Sequence, residues 1–332
     1  MSLQFIMGNS GSGKSYCLYD TVVREAIENP DKNYLVIVPE QFTMQTQKDL
    51  CLAHPKGGIM NIDVLSFGRL AYRVFEEVGQ DARVVLDDEG KNLVLRKIAG
   101  ECEKDLKVFK GNLKKQGYIS EVKSVLSEFA QYGVDFERLD DFMKEVPPES
   151  YLHYKLDDIR TIYEKFEEYL SEKYITKEEM LDVLSDAVPY SDILKGSVVA
   201  MDGFTGFTPV QNRLIGELFS VCEKVMITVT MDGRENPYVY EHPYQIFALG
   251  KQMVTSLMKI AGEKKTEIEE PICLFERPVY RFRDCSEMAF LETELFRYSG
   301  AKYNGSCESV SLHEVRSPGK EAKYVAESIR RL

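Results

Sequence analysis

GNSGSGKS, residues 8–15, stands almost at the start of the 332-residue chain and decides how the rest is read. It fits the spacing GxxxxGK[ST] through Gly8, Gly13, Lys14 and Ser15, with Asn9, Ser10, Gly11 and Ser12 between them. Glycines at these places let backbone N–H groups turn inward around phosphate oxygens, and a helix starting at the lysine adds its partial positive charge. In that geometry Lys14 reaches the outer phosphates and Ser15 ligates Mg²⁺. The mechanism needs a strand before the loop and a helix after it. LQFIM (3–7) supplies the first, and the stretch from about Lys14 to Glu28 the second. The pattern points to a nucleoside triphosphate and is silent about the base.

Working outward, the first third alternates strands and helices. NYLVIVP (33–39) is a continuous apolar run of the kind buried on both faces of a parallel sheet. A helix follows from Thr43, then the strand IMNIDVLS (59–66), then a helix beginning SFGRLAYRVFEEV. Such βαβ repetition implies right-handed crossovers and a doubly wound α/β sheet. From about 86 to 189 no strand pattern is visible. There, YLHYKLDDIRTIYEKFEEYL places Leu152, Leu156, Ile159, Tyr163, Phe166 and Leu170 on one helical face, so the region reads as a helical insertion. The lysine-rich KVFKGNLKKQGY (107–118) reads as a solvated loop or helix end. The α/β pattern resumes with SVVAMD (197–202), a helix after Thr208-Pro209, KVMITVT (224–230) and a helix over roughly 245–261. ESVSLHEV (308–315) reads as a further strand and GKEAKYVAESIRRL (319–332) as an amphipathic helix, the start of a new unit. The expected division is an α/β core from 1–85 and 190–305, a helical insertion at 86–189, and a further domain begun at 306–332, within a longer protein.

The totals bound the function. The chain carries 42 basic and 54 acidic side chains, net −12, so no extensive nucleic-acid-binding coat is expected. Residues 1–134 are nearly balanced, with 17 basic and 18 acidic groups, whereas 135–182 carry 7 and 15. A contact with an anionic polymer is therefore expected in a local groove outside the middle segment. The seven cysteines are scattered, without CxxC pairs, which reads as incidental thiols of a reducing cytoplasm. No apolar run approaches the length needed to span a membrane, so no membrane partner is expected.

A hydrolysing enzyme of this class needs an acidic residue at a strand end for the metal and a group to activate water. Asp202 ends the apolar strand SVVAM and stands either as the Mg²⁺ carboxylate or as a turn aspartate capping the next loop. The following residue, where a base is expected, is Gly203. Loss of a positioned general base typically forfeits ~10²–10⁴ in rate. Binding without fast turnover is the expectation.

Four segments in order resemble the Walker A, Ia, Ib and Walker B motifs of superfamily 1A helicases: the cradle, VPEQFTMQTQKDL (38–50), VLSFGRLAYRVF (64–75) and VVAMDGFTGFTPVQ (198–211). Their wording is more similar still to the B subunit of the AddAB-type (RexAB-type) helicase–nuclease, over essentially the whole chain. The resemblance implies a RecA-like P-loop NTPase core with an inserted helical subdomain. It also implies an ATP-dependent helicase–exonuclease complex that processes double-strand DNA breaks for recombination. In that complex an A subunit is the motor. Its B partner holds ATP and Mg²⁺ and scans single-stranded DNA for the Chi sequence, with duplex DNA also engaged. A nuclease domain with an iron–sulfur cluster is implied further along, its ligands lying outside this chain. By the same resemblance Gln41, Thr43, Phe67, Arg69, Tyr72, Phe204 and Phe207 are candidate DNA contacts. Phe67 and Tyr72 read equally well as the buried side of a helix, whereas Phe204 and Phe207, flanked by glycine and threonine, are harder to explain as core. Departures from a working motor accompany Gly203: no adenine-reading glutamine motif precedes residue 8, and MDGRE (231–235) lacks the glutamine of motif III. An active DNA-dependent ATPase and a purely architectural subunit remain the alternatives.

Overall fold

The computed structural model describes residues 1–79, 83–113, 115–170 and 173–331. Seven strands form the main sheet: β1 (Ser2–Gly8), β2 (Tyr34–Ile37), β3 (Ile62–Leu65), β6 (Val198–Met201), β7 (Lys224–Thr230), β8 (Glu267–Ile268) and β9 (Ile272–Leu274). Their order is β3-β2-β6-β7-β1-β8, with β9 pairing the far end of β1, and every pairing is parallel. A parallel sheet must be covered on both faces, and the alternation of side chains shows how. On β1, Leu3, Phe5 and Met7 enter one core while Ile6 enters the other; on β6, Val199 and Met201 part from Val198 and Ala200 in the same way.

The helices α1 (Lys14–Glu28) and α2 (Thr43–Ala53) close one face. The other is closed by α3 (Phe67–Val78), α8 (Lys177–Ala187), α9 (Pro209–Val221) and α10 (Ala248–Lys264). Local chemistry starts several of these. Ser66 caps α3 by accepting from Arg69 N–H, and Thr208 forms a capping box with Gln211 ahead of Pro209 at the start of α9.

Between α3 and α9 lies a second core built by α4 (Asp88–Cys102), α5 (Gln116–Tyr132), α6 (Phe136–Glu145) and α7 (Tyr151–Leu170). The expected α7 seam buries Ile159, Tyr163, Phe166 and Leu170, half-buries Leu156 and leaves Leu152 exposed. The insertion is not free of strands, however. A short β5 (Tyr174–Thr176) pairs in parallel with β4 (Val84–Leu86), so the ends of the helical unit are stitched together. Three residues are too few to show an alternation in sequence.

Beyond β9 the chain leaves the sheet and runs through a 3-10 turn (Tyr280–Phe282) and α11 (Ser286–Glu294). The strand expected at 308–315 does not form: that stretch begins in a bend, has no assigned secondary structure and is mostly exposed. Alternating apolar residues make a strand only where a sheet edge accepts them, and none is offered here. The last helix, α12 (Pro318–Arg331), forms as expected with no buried residue. Among the described residues no helix is long and apolar enough to cross a membrane.

Candidate functional site: a phosphate cradle beside a polar strand end

Gly8 is the last residue of β1 and Lys14 the first of α1, so the cradle connects a central strand to a helix N-terminus at the carboxyl edge of the sheet. A Cβ on Gly8 would sit 2.4 Å from Ser12 Oγ and 2.7 Å from the Leu274 carbonyl, so only glycine allows the loop to fold back here. Gly13 caps α1 with φ 96°; no side chain caps this helix and its first turn holds no acid. The first N–H groups of α1 are thus left for an external anion.

Lys14 Nζ lies inside the loop, donating to the carbonyls of Gly8 at 3.0 Å and Asn9 at 2.9 Å. Burial lowers its pKa to about 8; the Asp202 carboxylate opposes this shift and the Arg281 guanidinium adds to it. An ammonium held this way gains from an approaching phosphate. Two polar atoms of the cradle, Asn9 Oδ1 and Ser12 Oγ, are buried without a hydrogen-bond partner among the described residues. Such groups are costly unless something satisfies them, which fits a ligand rich in oxygens and bound water. Ser10 and Ser15 are exposed to solvent.

Asp202 follows β6, which is separated from β1 by β7 alone. The carboxylate is buried and held from both sides: the Tyr19 hydroxyl donates to Oδ2 at 2.8 Å and the Thr228 hydroxyl to Oδ1 at 2.6 Å. Tyr19 also meets Thr46 Oγ1 at 3.2 Å, and burial, with the charge of Asp202 behind it, pushes its hydroxyl pKa far up. Asp202 is therefore fixed in position at the strand end, near enough to Lys14 to act on it electrostatically, with further lone pairs able to receive metal-bound water. Gly203, next in sequence, has φ 79°. A Cβ there would meet nothing closer than Pro39 Cδ at 3.5 Å, so backbone conformation rather than space disfavours a side chain.

The 3-10 turn after β9 adds residues that motif reading did not reach. Arg281 N–H donates to the Gly11 carbonyl at 3.0 Å, and its side chain packs where a Cβ on Gly11 would fall. Asn9 Nδ2 donates to Glu292 Oε1 at 2.9 Å, and Glu292 in turn takes Arg277 at 3.0 Å. Arg277 and Arg297 each reach Asp232 Oδ2 at 2.7 Å, joined by Arg234 at the same distance. Burial would raise the pKa of Asp232, but the hydrogen bonds from Arg234 and the charge of Arg277 outweigh it and hold the carboxyl far below its ordinary range. MDGRE thus stands at the hub of an ion-pair cluster tied to the cradle. Arg234 and Asp232 are two residues apart, but the other partners are separated by 15 to 283 residues, and no local signal announces those.

The candidate DNA-contacting residues divide. Gln41, Arg69 and Tyr72 are exposed. Thr43 is buried and its hydroxyl donates to the Glu40 carbonyl at 3.0 Å. Phe67 is buried, and its ring lies 5.4 Å from Phe204 and 6.3 Å from Phe207, which are 5.1 Å from each other. The two loop phenylalanines are half-buried against the main core, correcting the expectation that core packing would not explain them. Phe42 and Met44, beside Gln41, are the exposed apolar side chains that motif reading passed over. Glu40 joins the two loops, accepting from the Ser66 hydroxyl and pairing with Arg69 at 3.4 Å.

With this geometry in view, the similarity to known proteins is specific. The family model described as ADDB, N-terminal, matches residues 5–292. The B subunit of an ATP-dependent helicase/deoxyribonuclease of Lachnoclostridium phytofermentans is 42% identical over the whole chain, covering 29% of that protein. Proteins of the same name in Thermoanaerobacter sp. and Clostridium tetani are 35% and 32% identical, again over all of this chain and 28% and 29% of theirs. The chain thus spans under a third of the length of the curated relatives it matches. On the strength of these matches, the chain belongs to the ADDB N-terminal family.

Proposed function

We propose that this chain is the nucleotide-holding, DNA-contacting region of the B subunit of an ATP-dependent helicase/deoxyribonuclease. It binds ATP with Mg²⁺ at residues 8–15 and scans single-stranded DNA, for the Chi sequence, with little motor activity of its own. The parallel order in which one strand separates the cradle strand from the Asp202 strand supports a RecA-like core. ATP–Mg²⁺ would be held by the cradle N–H groups, Lys14 and Ser15, with Asp202 receiving metal-bound water and Arg281 as a second cation at the loop. The metal would screen phosphate charge.

The observation that carries the reading is the pairing of an intact cradle with Gly203 in a left-handed conformation. The residue after Asp202 carries no side chain to take a proton from water, and this backbone disfavours one. DNA would track the surface carrying Gln41, Arg69 and Tyr72, alongside the half-buried Phe204 and Phe207 of the loop after β6. An A subunit supplies the motor, and double-strand break repair by recombination is the setting.

The test is equilibrium binding of a fluorescent ATP analogue with Mg²⁺ to the wild-type protein and to Lys14→Ala. Loss of most nucleotide affinity in the variant, with single-stranded DNA affinity kept, supports the reading. Equal binding by both proteins, or by neither, refutes it.

A further inference from the structure

The lysine-rich run between α4 and α5 is anchored in a way a solvated loop is not. Residues 104–118 hold five lysines and one aspartate in a chain of net charge −12. Asp158, buried on α7, accepts three consecutive backbone N–H groups of this run: Lys107 at 2.8 Å, Val108 at 2.7 Å and Phe109 at 2.8 Å. Leu106, Phe109 and Leu113 are buried in the helical core. With backbone and apolar side chains committed inward, Lys104, Lys107, Lys110 and Lys115 are left on the outside, all exposed.

Their charge is only partly answered. Lys107 pairs with Asp157 at 3.0 Å, and Lys115 reaches the amide oxygen of Asn112 at 3.4 Å. Lys104, Lys110 and the exposed Arg96 of α4 have no acidic partner among the described residues. A cavity of about 450 Å³ opens beside them, walled by Arg96, Leu106, Phe109 and Gly111, with Glu103 as its one acidic lining residue.

We propose that this patch docks the phosphodiester backbone of duplex DNA, independently of sequence. The inference rests on the reading that the protein works on DNA, and adds a surface that none of the candidate contacts includes. Lysines act as point charges on phosphate and carry no base-reading geometry. The neighbouring rings are not free platforms for unpaired bases either: Lys107 lies 4.8 Å from the Tyr154 centroid and Lys115 5.9 Å from that of Tyr118. The three N–H bonds fix the backbone at 107–109, so the lysine stems project from a set surface. Point charges without a free stacking platform suit the paired bases and regular phosphates of a duplex better than a single strand.

The experiment compares the full-length protein with its Lys104→Gln/Lys110→Gln/Lys115→Gln variant, measuring duplex and single-stranded DNA affinity across a salt series. Each phosphate contact contributes about 0.9 to the slope of log K against log salt, so the duplex slope is expected to fall by about 2 to 3. Single-stranded DNA affinity stays unchanged. A duplex slope equal to wild type overturns the proposal while leaving the DNA reading intact, and equal losses on both forms overturn the assignment to duplex. Failure of the wild-type protein to bind either DNA overturns both readings.

Discussion

The Tyr19 hydroxyl donates a 2.8 Å hydrogen bond to Asp202 Oδ2, tying the helix that follows the phosphate cradle to the strand end that carries the site's carboxylate. Thr228, one strand over, takes the other oxygen at 2.6 Å. The carboxyl group is therefore aimed by the scaffold, held by a hydroxyl from each side before any nucleotide is bound.

Tyr19→Phe removes this tie and leaves Asp202 buried with one donor fewer. Hydrogen bonds to charged groups contribute about 1.5–3 kcal/mol, and a loss in that range is expected in urea unfolding. Nucleotide binding at saturating Mg²⁺ should persist, because the cradle itself is untouched. An unchanged unfolding midpoint would show that Asp202 is not held as described.

Gly203→Glu tests whether the missing base is simply a missing side chain. With φ at 79°, any Cβ-bearing residue pays a conformational cost of about 1–2 kcal/mol. The variant is expected to be destabilised by that amount and to gain no DNA-stimulated phosphate release. Release at enzyme-like rates would mean that the left-handed backbone does not matter.

Glu40→Gln loosens the pairing of Arg69 with Glu40 that now competes with any phosphate for the guanidinium. Exposed pairs of this kind contribute about 0.2–1 kcal/mol, so single-stranded DNA should bind up to about five times more tightly. Weaker binding would place Glu40 itself among the contacts.

Glu167 gives the helical unit a pH dependence. Burial, and behind it the charge and hydrogen bond of Glu179, raise its pKa from the ordinary 4.5 to about 7. The unfolded chain therefore loses this proton first, and stability from this group declines as pH rises from about 4.5 to about 7, then levels. Glu167→Gln should accordingly gain stability relative to wild type across that window and differ little below it. A difference that does not change between pH 4.5 and 7 would contradict the assignment.

What could be read in the sequence follows how local the cause is. The cradle was legible because its glycines, lysine and serine are contiguous, and the sheet because β1, β2, β6 and β7 are apolar runs buried on both faces. Gly203 was legible as an absence, but its φ was not, since backbone handedness follows from the turn around it. The strand at Tyr174–Thr176 and the missing strand at 308–315 are opposite failures with one cause. Pairing is decided by a partner edge, present for the first in Val84–Leu86 and absent for the second. Phe204 and Phe207 read as loop residues because their glycine and threonine neighbours do; they pack because Phe67, far away in sequence, offers a ring. Arg281 could not be found from the cradle at all, since only the fold brings the turn after β9 against Gly11.

The most direct test of the central claim is steady-state phosphate release by the protein carrying this chain, free of any second ATPase chain. It is run with and without single-stranded DNA at ATP concentrations already shown to saturate binding. The account predicts full occupancy with turnover well below ~1 s⁻¹, the low end of ordinary enzyme rates, in both conditions. DNA-stimulated release above ~1 s⁻¹ would contradict it and make the chain a motor.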